Sequence, residues 1–284
     1  MATTTEGFIT SSDGTRLFFR RHAAAAPKAR ILVIHGFAEH GGRYLELLDA
    51  LADAGFDALA FDLRGHGRSD GLRADLRRFE DYLDDTRAAF EALTAGTKDG
   101  ALVFGHSMGG LIATHFAASE PQRCQALALS GPMFARMMKV NPVKLLAAQV
   151  LGRLLPRFAM PSGITGAHLT SDPAEIAIHD ADPLILHQAR AGWFLALEAA
   201  MAATPACMPR LTMPLYLMHG EADPLTSFEA SRALFPQAAS TDKTFVALPG
   251  MRHETLHEIG REKVRADLVA WLAAQAGLSA PSHA

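Results

Sequence analysis

Short apolar runs alternate along most of the chain with longer segments in which apolar residues recur at helical spacing. Residues 30–34 form a run rich in β-branched side chains, and residues 56–61 form the next apolar run. Beyond it, apolar residues recur close to the 3.6-residue period of a helix from Phe79 to Leu93. This alternation predicts an α/β architecture, a mostly parallel sheet with helices on both faces.

The chain is expected to begin with a hairpin, because residues 7–10 and 16–20 flank the turn signal Ser12-Asp13-Gly14. Further strands are predicted at residues 30–34, 56–61, 101–104, 126–129, 215–218 and 244–248. Helices are predicted at residues 44–54, around the apolar positions between 79 and 93, at 108–119 and at 258–274.

Residues 132–209 interrupt the alternation. This stretch is rich in proline and contains no convincing strand. Asn141-Pro142 is a typical helix start, with Asn as the N-cap and Pro in the first position, and apolar residues then recur at helical spacing from Val143 to Phe158. We therefore expect residues 1–131 and 210–284 to form the core. Residues 132–209 would form an inserted helical cap over the carboxyl edge of the sheet, where α/β folds place their ligand sites.

Composition and charge narrow the class of protein. The 284 residues carry a net charge of −3, so no basic field for binding nucleic acid is evident. No apolar run reaches the ~18 residues of a membrane-spanning helix, and the N-terminus lacks the pattern of a signal peptide. Two cysteines, Cys124 and Cys207, imply no disulfide framework. We expect a cytoplasmic protein with reduced thiols, and the sequence leaves its oligomeric state open.

The clearest chemical signal is Gly-His-Ser-Met-Gly at residues 105–109, between a predicted strand and a predicted helix. G-x-S-x-G in this strand–turn–helix setting is the pattern of a nucleophile elbow, which exposes a serine at a sharp turn. It nominates Ser107 as a covalent nucleophile and acyl transfer to water as the reaction.

A serine hydroxyl needs a neighbouring base, and an imidazole base needs a carboxylate to orient it. On this kind of fold the acid and then the histidine follow the serine, each in a loop after a strand. After the strand at 215–218 the candidates are Asp223 and Glu221, and we favour Asp223 because the strand has already turned at Gly220. After the strand at 244–248, His253 follows a Pro-Gly turn and is favoured over His257.

The tetrahedral intermediate requires an oxyanion hole. The N–H of Met108, directly after the nucleophile, is the expected first donor. The second should come from the loop after the strand at 30–34, where Phe37 is favoured. Loss of one such donor typically costs ~10²–10³ in rate.

A competing interpretation uses some of the same residues. Residues 253–257 spell H-E-x-x-H, the pattern of zinc proteases, in which His253 and His257 would bind zinc and Glu254 would be the general base. That site requires a helix and a third ligand, whereas this segment follows a strand and a Pro-Gly turn. We therefore expect no metal and no organic cofactor.

Several segments together resemble the monoacylglycerol lipase and lysophospholipase group of the α/β-hydrolase superfamily. These are HGFAEHGGRY at residues 35–44, FDLRGHGRSDG at 61–71, the elbow GHSMGG, GEAD at 220–223 and HE at 253–254, in the family's order. The resemblance implies an α/β-hydrolase fold with Ser107, Asp223 and His253 as the triad and Phe37 and Met108 as oxyanion donors. It also implies that His35, Glu39, His40 and Arg43 mainly shape the oxyanion loop.

The cap carries the expected substrate contacts. A Met-rich apolar lining suits an acyl chain, and the sequence nominates Met133, Met137, Leu154 and Trp193. Lysine and arginine residues interleave with this apolar stretch, which also favours transient contact with a membrane surface. The bulk of Phe37 would narrow the acyl pocket.

The leading hypothesis is a cofactor-free hydrolase of monoacylglycerols, small-molecule acyl esters. The alternatives are a lysophospholipase, a general carboxylesterase or a proline-aminopeptidase-like serine peptidase. The peptidase would need a cap acid for the substrate's amine, such as Glu175, Asp180 or Glu198. A catalytically inactive ligand receptor on the same fold is disfavoured, because it would have little need for serine, acid and histidine in the correct order. The sequence specifies neither acyl length nor headgroup.

Overall fold

The computed structural model describes residues 3–97, 99–137 and 154–278, and its largest element is an eight-stranded mixed sheet. A separate small sheet holds two further strands. The strands are β1 (Thr3–Thr10), β2 (Arg16–Ala23), β3 (Ala29–Ile34), β4 (Phe56–Phe61), β5 (Ala101–His106), β6 (Cys124–Ser130), β7 (Ala159–Pro161), β8 (Gln188–Arg190), β9 (Leu215–Gly220) and β10 (Lys243–Leu248).

The large sheet has the strand order β1-β2-β4-β3-β5-β6-β9-β10. From β4 to β10 all neighbouring strands are parallel, whereas the hairpin β1–β2 joins the β4 edge in antiparallel pairing. The predicted hairpin and the predicted strands of the core are all present. The expectation of a mostly parallel α/β sheet is therefore confirmed.

Helices cover both faces of this sheet. Successive strand residues point to opposite faces, so Leu32 and Ile34 pack with α2 and α3 while Ile31 and Val33 pack with α1 and α8. The helices are α1 (Leu45–Asp53), α2 (Glu80–Thr94), α3 (Met108–Ser119), α4 (Gly166–Leu169), α5 (Pro173–Ala181), α6 (Ala191–Cys207), α7 (Phe228–Leu234) and α8 (Arg261–Gln275).

The stretch predicted as an all-helical cap contains a small sheet. Strands β7 and β8 pair in antiparallel register, with Met160 opposite Ala189, so the expectation of helices alone was wrong. Each strand has only three residues, which is too short for an alternating apolar pattern to be recognised in the sequence. The division into a core at 1–131 and 210–284 and a cap at 132–209 stays a prediction.

The helix expected from Asn141 to Phe158 falls largely on residues 138–153, outside the described part of the chain. Its predicted end was wrong, because the chain has left the helical conformation at Leu155 and Phe158 lies outside any helix. Pro156 explains the early end, since proline disfavours the helical conformation of the residue before it.

Within the described residues, Ala191–Arg210 is helical and is long and apolar enough to cross a membrane by length and composition alone. Its first part, α6, instead buries Trp193, Leu197 and Ala200 in the same apolar cluster as α3. The segment therefore packs as a core-facing helix against α3.

Candidate active site

Ser107 occupies the sharp turn between β5 and α3. Its backbone has φ 54° and ψ −118°, a strained conformation for a residue that is not glycine. The flanking glycines make the turn possible: a Cβ on Gly105 would lie 2.4 Å from the carbonyl oxygen of Gly109, and one on Gly109 would lie 2.2 Å from that of Ile34. The sequence pattern G-x-S-x-G thus has a direct steric cause.

His253 lies against Ser107. Its Nε2 is 2.8 Å from Oγ of Ser107, and its Nδ1 is 2.7 Å from Oδ2 of Asp223. The three residues come from the ends of β5, β9 and β10, which meet at the carboxyl edge of the sheet. An ionised carboxylate only accepts hydrogen bonds, so Nδ1–H donates to Asp223 and Nε2 is free to accept the serine proton.

The Asp223 carboxylate is held as an anion. Its Oδ1 accepts from the backbone N–H groups of Leu225 and Thr226, at 2.8 and 2.9 Å, and its Oδ2 accepts from the Thr226 hydroxyl at 2.7 Å. Burial would raise the pKa of Asp223, but the charge of His253 and these donors hold it well below its usual value. Burial in turn lowers the pKa of His253, and Asp223 overcomes this and raises it above the ordinary value.

The competing acid and base lie elsewhere. The Glu221 side chain is exposed, whereas Asp223 is buried against the histidine. His257 points away from the serine: its Nε2 is 2.8 Å from the carbonyl oxygen of Arg43, and its Nδ1 is 3.3 Å from Glu254. Residues 253–257 are not helical, so the two histidines do not share a helix face as zinc proteases require.

A second histidine adjoins His253. The ring of His106, which directly precedes the nucleophile, lies 4.7 Å from the ring of His253. Burial and the charge of His253 lower the pKa of His106 to about 3. A neutral ring at this position adds no positive charge that would oppose protonation of His253.

The expected oxyanion donors are placed next to the serine. Met108 begins α3, and the first N–H groups of a helix have no partner within the helix. Phe37 lies in the loop after β3 and lines the same cavity as Ser107. Glu39 fixes this loop, since its Oε1 accepts from Gly36 N–H at 2.5 Å and from the Tyr44 hydroxyl at 2.8 Å.

A buried ionic group joins the oxyanion loop to the histidine loop. Arg43 donates through Nη2 to Glu254, the residue directly after His253, and its Nε lies 3.4 Å from Oε2 of Glu39. Burial would raise the pKa of Glu254, but Arg43 and His257 hold it well below its usual value. Burial and the charge of Glu254 instead raise the pKa of Glu39. One guanidinium thus serves two buried carboxyl groups.

A cavity of about 350 Å³ opens beside Ser107 and has a largely apolar wall. The structure places Met133 and Trp193, two of the expected substrate contacts, in this wall. It does not place Met137 or Leu154 there, because their side chains are 50% and 74% exposed. Their role in substrate binding stays a prediction, because helical spacing identifies apolar positions but not the surface that they face.

The sequence did not predict some of the other residues that line the cavity. Arg136 borders the cavity, forms an ion pair with Glu198 at 2.9 Å and stacks over the ring of Phe194 at 4.5 Å. His179, on α5, also lines the cavity and is held by Asp180 at 2.9 Å. Polar residues in the cap have no motif to mark them, so only the packing of the cap reveals them.

Fold and site together define a serine ester hydrolase on an α/β-hydrolase fold. The chain matches the sequence model of the family described as serine aminopeptidase, S33, over residues 25–260. It therefore belongs to that family, and within it is a serine ester hydrolase of the monoglyceride lipase type.

Named relatives agree with this placement. The chain is 34% identical to a monoacylglycerol lipase of Mycolicibacterium smegmatis, over 87% of this chain and 88% of the relative. It is also 34% identical to the monoglyceride lipase of Homo sapiens, over 88% of this chain and 83% of the relative. The crystal structure of the Paleococcus ferrophilus monoacylglycerol lipase superposes with a TM-score of 0.84 at 28% identity, covering 91% of this chain and 99% of that one. The enzyme thus acts on a small-molecule ester.

Proposed function

We propose that this enzyme hydrolyses monoacylglycerols through an acyl-enzyme formed on Ser107. The observation that carries the proposal is the 2.8 Å contact between Ser107 and His253 at the wall of an apolar cavity large enough for an acyl chain. Asp223 orients His253 and stabilises its protonated form. The similarity to two monoacylglycerol lipases at 34% and 28% identity supports the substrate.

The acylation half-reaction follows from the positions of these groups. Oγ of Ser107 attacks the ester carbonyl carbon while its proton passes to Nε2 of His253. The carbonyl oxygen becomes an oxyanion, which the N–H groups of Phe37 and Met108 stabilise. When the intermediate collapses, the bond to the glycerol oxygen breaks and His253 returns its proton to that oxygen. Glycerol leaves and the acyl group stays on Ser107.

Deacylation repeats these steps with water as the nucleophile. His253 takes a proton from water, the resulting hydroxide attacks the acyl-enzyme, and the same two N–H groups stabilise the second oxyanion. Collapse returns the proton to Oγ of Ser107 and releases the fatty acid. The raised pKa of His253 suits a group that must hold a proton between these steps.

The cap acids give less support to a peptidase. Among the described residues, Glu175 lies 3.4 Å from Arg261, Glu198 lies 2.9 Å from Arg136, and Asp180 is hydrogen-bonded to His179. A carboxylate already paired with a cation is a poor anchor for a substrate amine, because binding the amine would require breaking the existing pair.

The direct test is fatty-acid release from 1-monoacylglycerols and lysophosphatidylcholines of matched chain length, C8 to C18. We expect the monoacylglycerols to be preferred and Ser107→Ala to abolish their hydrolysis. Ser119→Ala, at the far end of the same helix, is the matched control and should keep full activity. Activity on lysophospholipids alone would overturn the substrate but not the mechanism. Activity surviving in Ser107→Ala would overturn the triad.

We also propose that the enzyme, as a cytoplasmic protein, meets its substrate at an anionic phospholipid surface. The docking face consists of exposed apolar side chains with arginines around them: Leu72, Leu154, Leu155 and Phe158, with Arg73, Arg157 and Arg190. Arg190 donates to the backbone carbonyls of Arg73 and Arg157, which brings the core loop and the cap together in one face. Apolar side chains edged by arginine favour the interface of an anionic membrane.

A further inference from the structure

His219, near the end of β9, is a buried histidine that the proposed mechanism does not use. Its ring is wholly inaccessible to solvent and packs edge-on against Phe228. Its Nε2 lies 3.2 Å from Oδ2 of Asp223, the same oxygen that accepts from His253. Two histidines therefore share one oxygen of the proposed catalytic acid, and only His253 reaches the serine.

The hydrogen-bond partners of His219 fix where its proton lies. An ionised carboxylate only accepts, so the proton of His219 lies on Nε2, which is 3.2 Å from Oδ2 of Asp223 and 3.3 Å from Oγ1 of Thr226. Nδ1 is then the acceptor, and the buried Ser231 hydroxyl lies 2.9 Å from it. Ser231 on α7 thus selects the tautomer of His219 in the same way that Asp223 selects the tautomer of His253.

The arrangement of donors explains why a second histidine is useful. Backbone N–H groups hold Oδ1 of Asp223, but Oδ2, which faces His253, has no backbone donor among its described contacts. Side chains hold Oδ2 instead, namely the Thr226 hydroxyl at 2.7 Å and His219. Without them the carboxylate can rotate and the 2.7 Å contact with His253 is lost.

We propose that His219, oriented by Ser231, is a positioning residue that keeps Oδ2 of Asp223 in line with His253. This inference rests on the proposed triad. It predicts that His219 acts on the chemical step and leaves substrate binding alone, because His219 does not line the cavity.

The test compares His219→Leu, which removes the donor, with His219→Gln, which can restore an N–H to Asp223. For His219→Leu we expect kcat to fall by roughly tenfold with KM unchanged, as expected for one lost hydrogen bond to a charged group. His219→Gln should recover most of the loss. Ser231→Ala is a smaller change and serves as the second variant if His219→Leu does not fold. It should also lower kcat, by a smaller factor than His219→Leu.

A pH profile separates positioning from a merely structural role. The acid limb of kcat/KM reports the free enzyme's base, here His253. Asp223, Glu254, Glu39 and His106 face His253 and are the same in all variants. If His219 holds Asp223 in place, its loss weakens the Asp223–His253 contact and moves the acid limb to lower pH. An unmoved limb, or one moved to higher pH, would overturn the proposal.

Two further variants separate this proposal from the triad itself. His22→Leu removes a buried histidine that pairs with Asp49 in the N-terminal hairpin region, and it should leave kcat and the acid limb unchanged. If Asp223→Asn is inactive while His219→Leu behaves as wild type, the triad stands and the positioning role fails. If Asp223→Asn keeps full activity, the triad fails and His219 has no acid to position.

Discussion

The ring of Phe37 lies 4.1 Å from the ring of Trp193, with an angle of 36° between the ring planes. Phe37 belongs to the loop after β3 and Trp193 to α6, so this pair connects the two segments at the wall of the cavity. The aromatic contact that joins these two segments therefore also limits the space beside Ser107.

Shortening Phe37 should extend the acyl chains that the enzyme accepts. In Phe37→Leu the cavity gains volume beside Trp193, so kcat/KM for C16 and C18 esters should rise relative to C8. Each buried methylene contributes about 0.8 kcal/mol, which corresponds to roughly fourfold per group. Chain-length profiles of the variant and of Phe8→Leu, an exposed change in the hairpin, would show the effect. Equal profiles for all three proteins would contradict it.

The pH dependence of activity should follow His253. This base works only when deprotonated, and Asp223 raises its pKa above the ordinary value of 6.5. Activity should therefore be full at higher pH and fall as the pH drops through a value above 6.5. Asp223→Asn should lower kcat by roughly 10⁴-fold, because the imidazole loses its orienting partner.

Residual activity in Asp223→Asn gives a second measurement. Without the carboxylate the pKa of His253 should fall, so any remaining acid limb should move to lower pH. Glu221→Gln, the exposed acid two residues earlier, serves as the control and should keep both the rate and the limb of the wild type. A large loss in Glu221→Gln would show that the acid had been assigned to the wrong residue.

The core could be predicted because most of its parallel strands contain a short apolar run that a turn follows. Helix α3 begins and ends at the predicted residues, and β4 does as well, since glycines and polar residues bound both segments. The loops after β5, β9 and β10 led to the proposed triad, whose three side chains the structure brings into contact. Helix α7 was not predicted, because its seven residues follow the acid loop without a long apolar repeat.

The cap could not be predicted to the same depth. Met133 and Met137 are equally apolar and only four residues apart, yet one lines the cavity and the other is exposed. Arg136, between them, lies in the cavity wall because Glu198 and Phe194 hold it there. Whether one of these side chains lines the cavity depends on how distant segments of the chain pack against it. Hydrophobic periodicity within one segment carries no information about that packing.

Arg43 should contribute strongly to stability. Arg43→Met would leave Glu39 and Glu254 buried without their shared cation, and breaking a buried ion pair in this way typically costs about 3–5 kcal/mol. We expect the free energy of unfolding, measured by urea denaturation, to fall by that amount. Arg232→Met removes an exposed pair with Glu229 and should change it by about 0–1 kcal/mol. Equal losses in the two variants would refute the proposed role of Arg43.

Binding to lipid vesicles tests the proposed docking face. Arg73→Gln and Arg157→Gln each remove one cation, and each should weaken binding to anionic vesicles by roughly fivefold, because a basic residue near such a surface contributes about 1 kcal/mol. Phe158→Ser should weaken binding to vesicles of phosphatidylglycerol and of phosphatidylcholine alike, since it removes buried apolar area. Hydrolysis of a water-soluble short-chain ester should stay unchanged in all three variants.

The salt dependence of this binding distinguishes its two components. Raising the ionic strength from 0.01 M to 0.15 M shortens the screening length from about 30 Å to about 8 Å, so the arginine contribution should shrink while the Phe158 contribution persists. Arg232→Gln, an exposed arginine on α7, is the matched control and should bind as the wild type does. If Arg73→Gln and Arg232→Gln weaken binding equally, the attraction comes from overall charge, and no particular face of the enzyme meets the membrane.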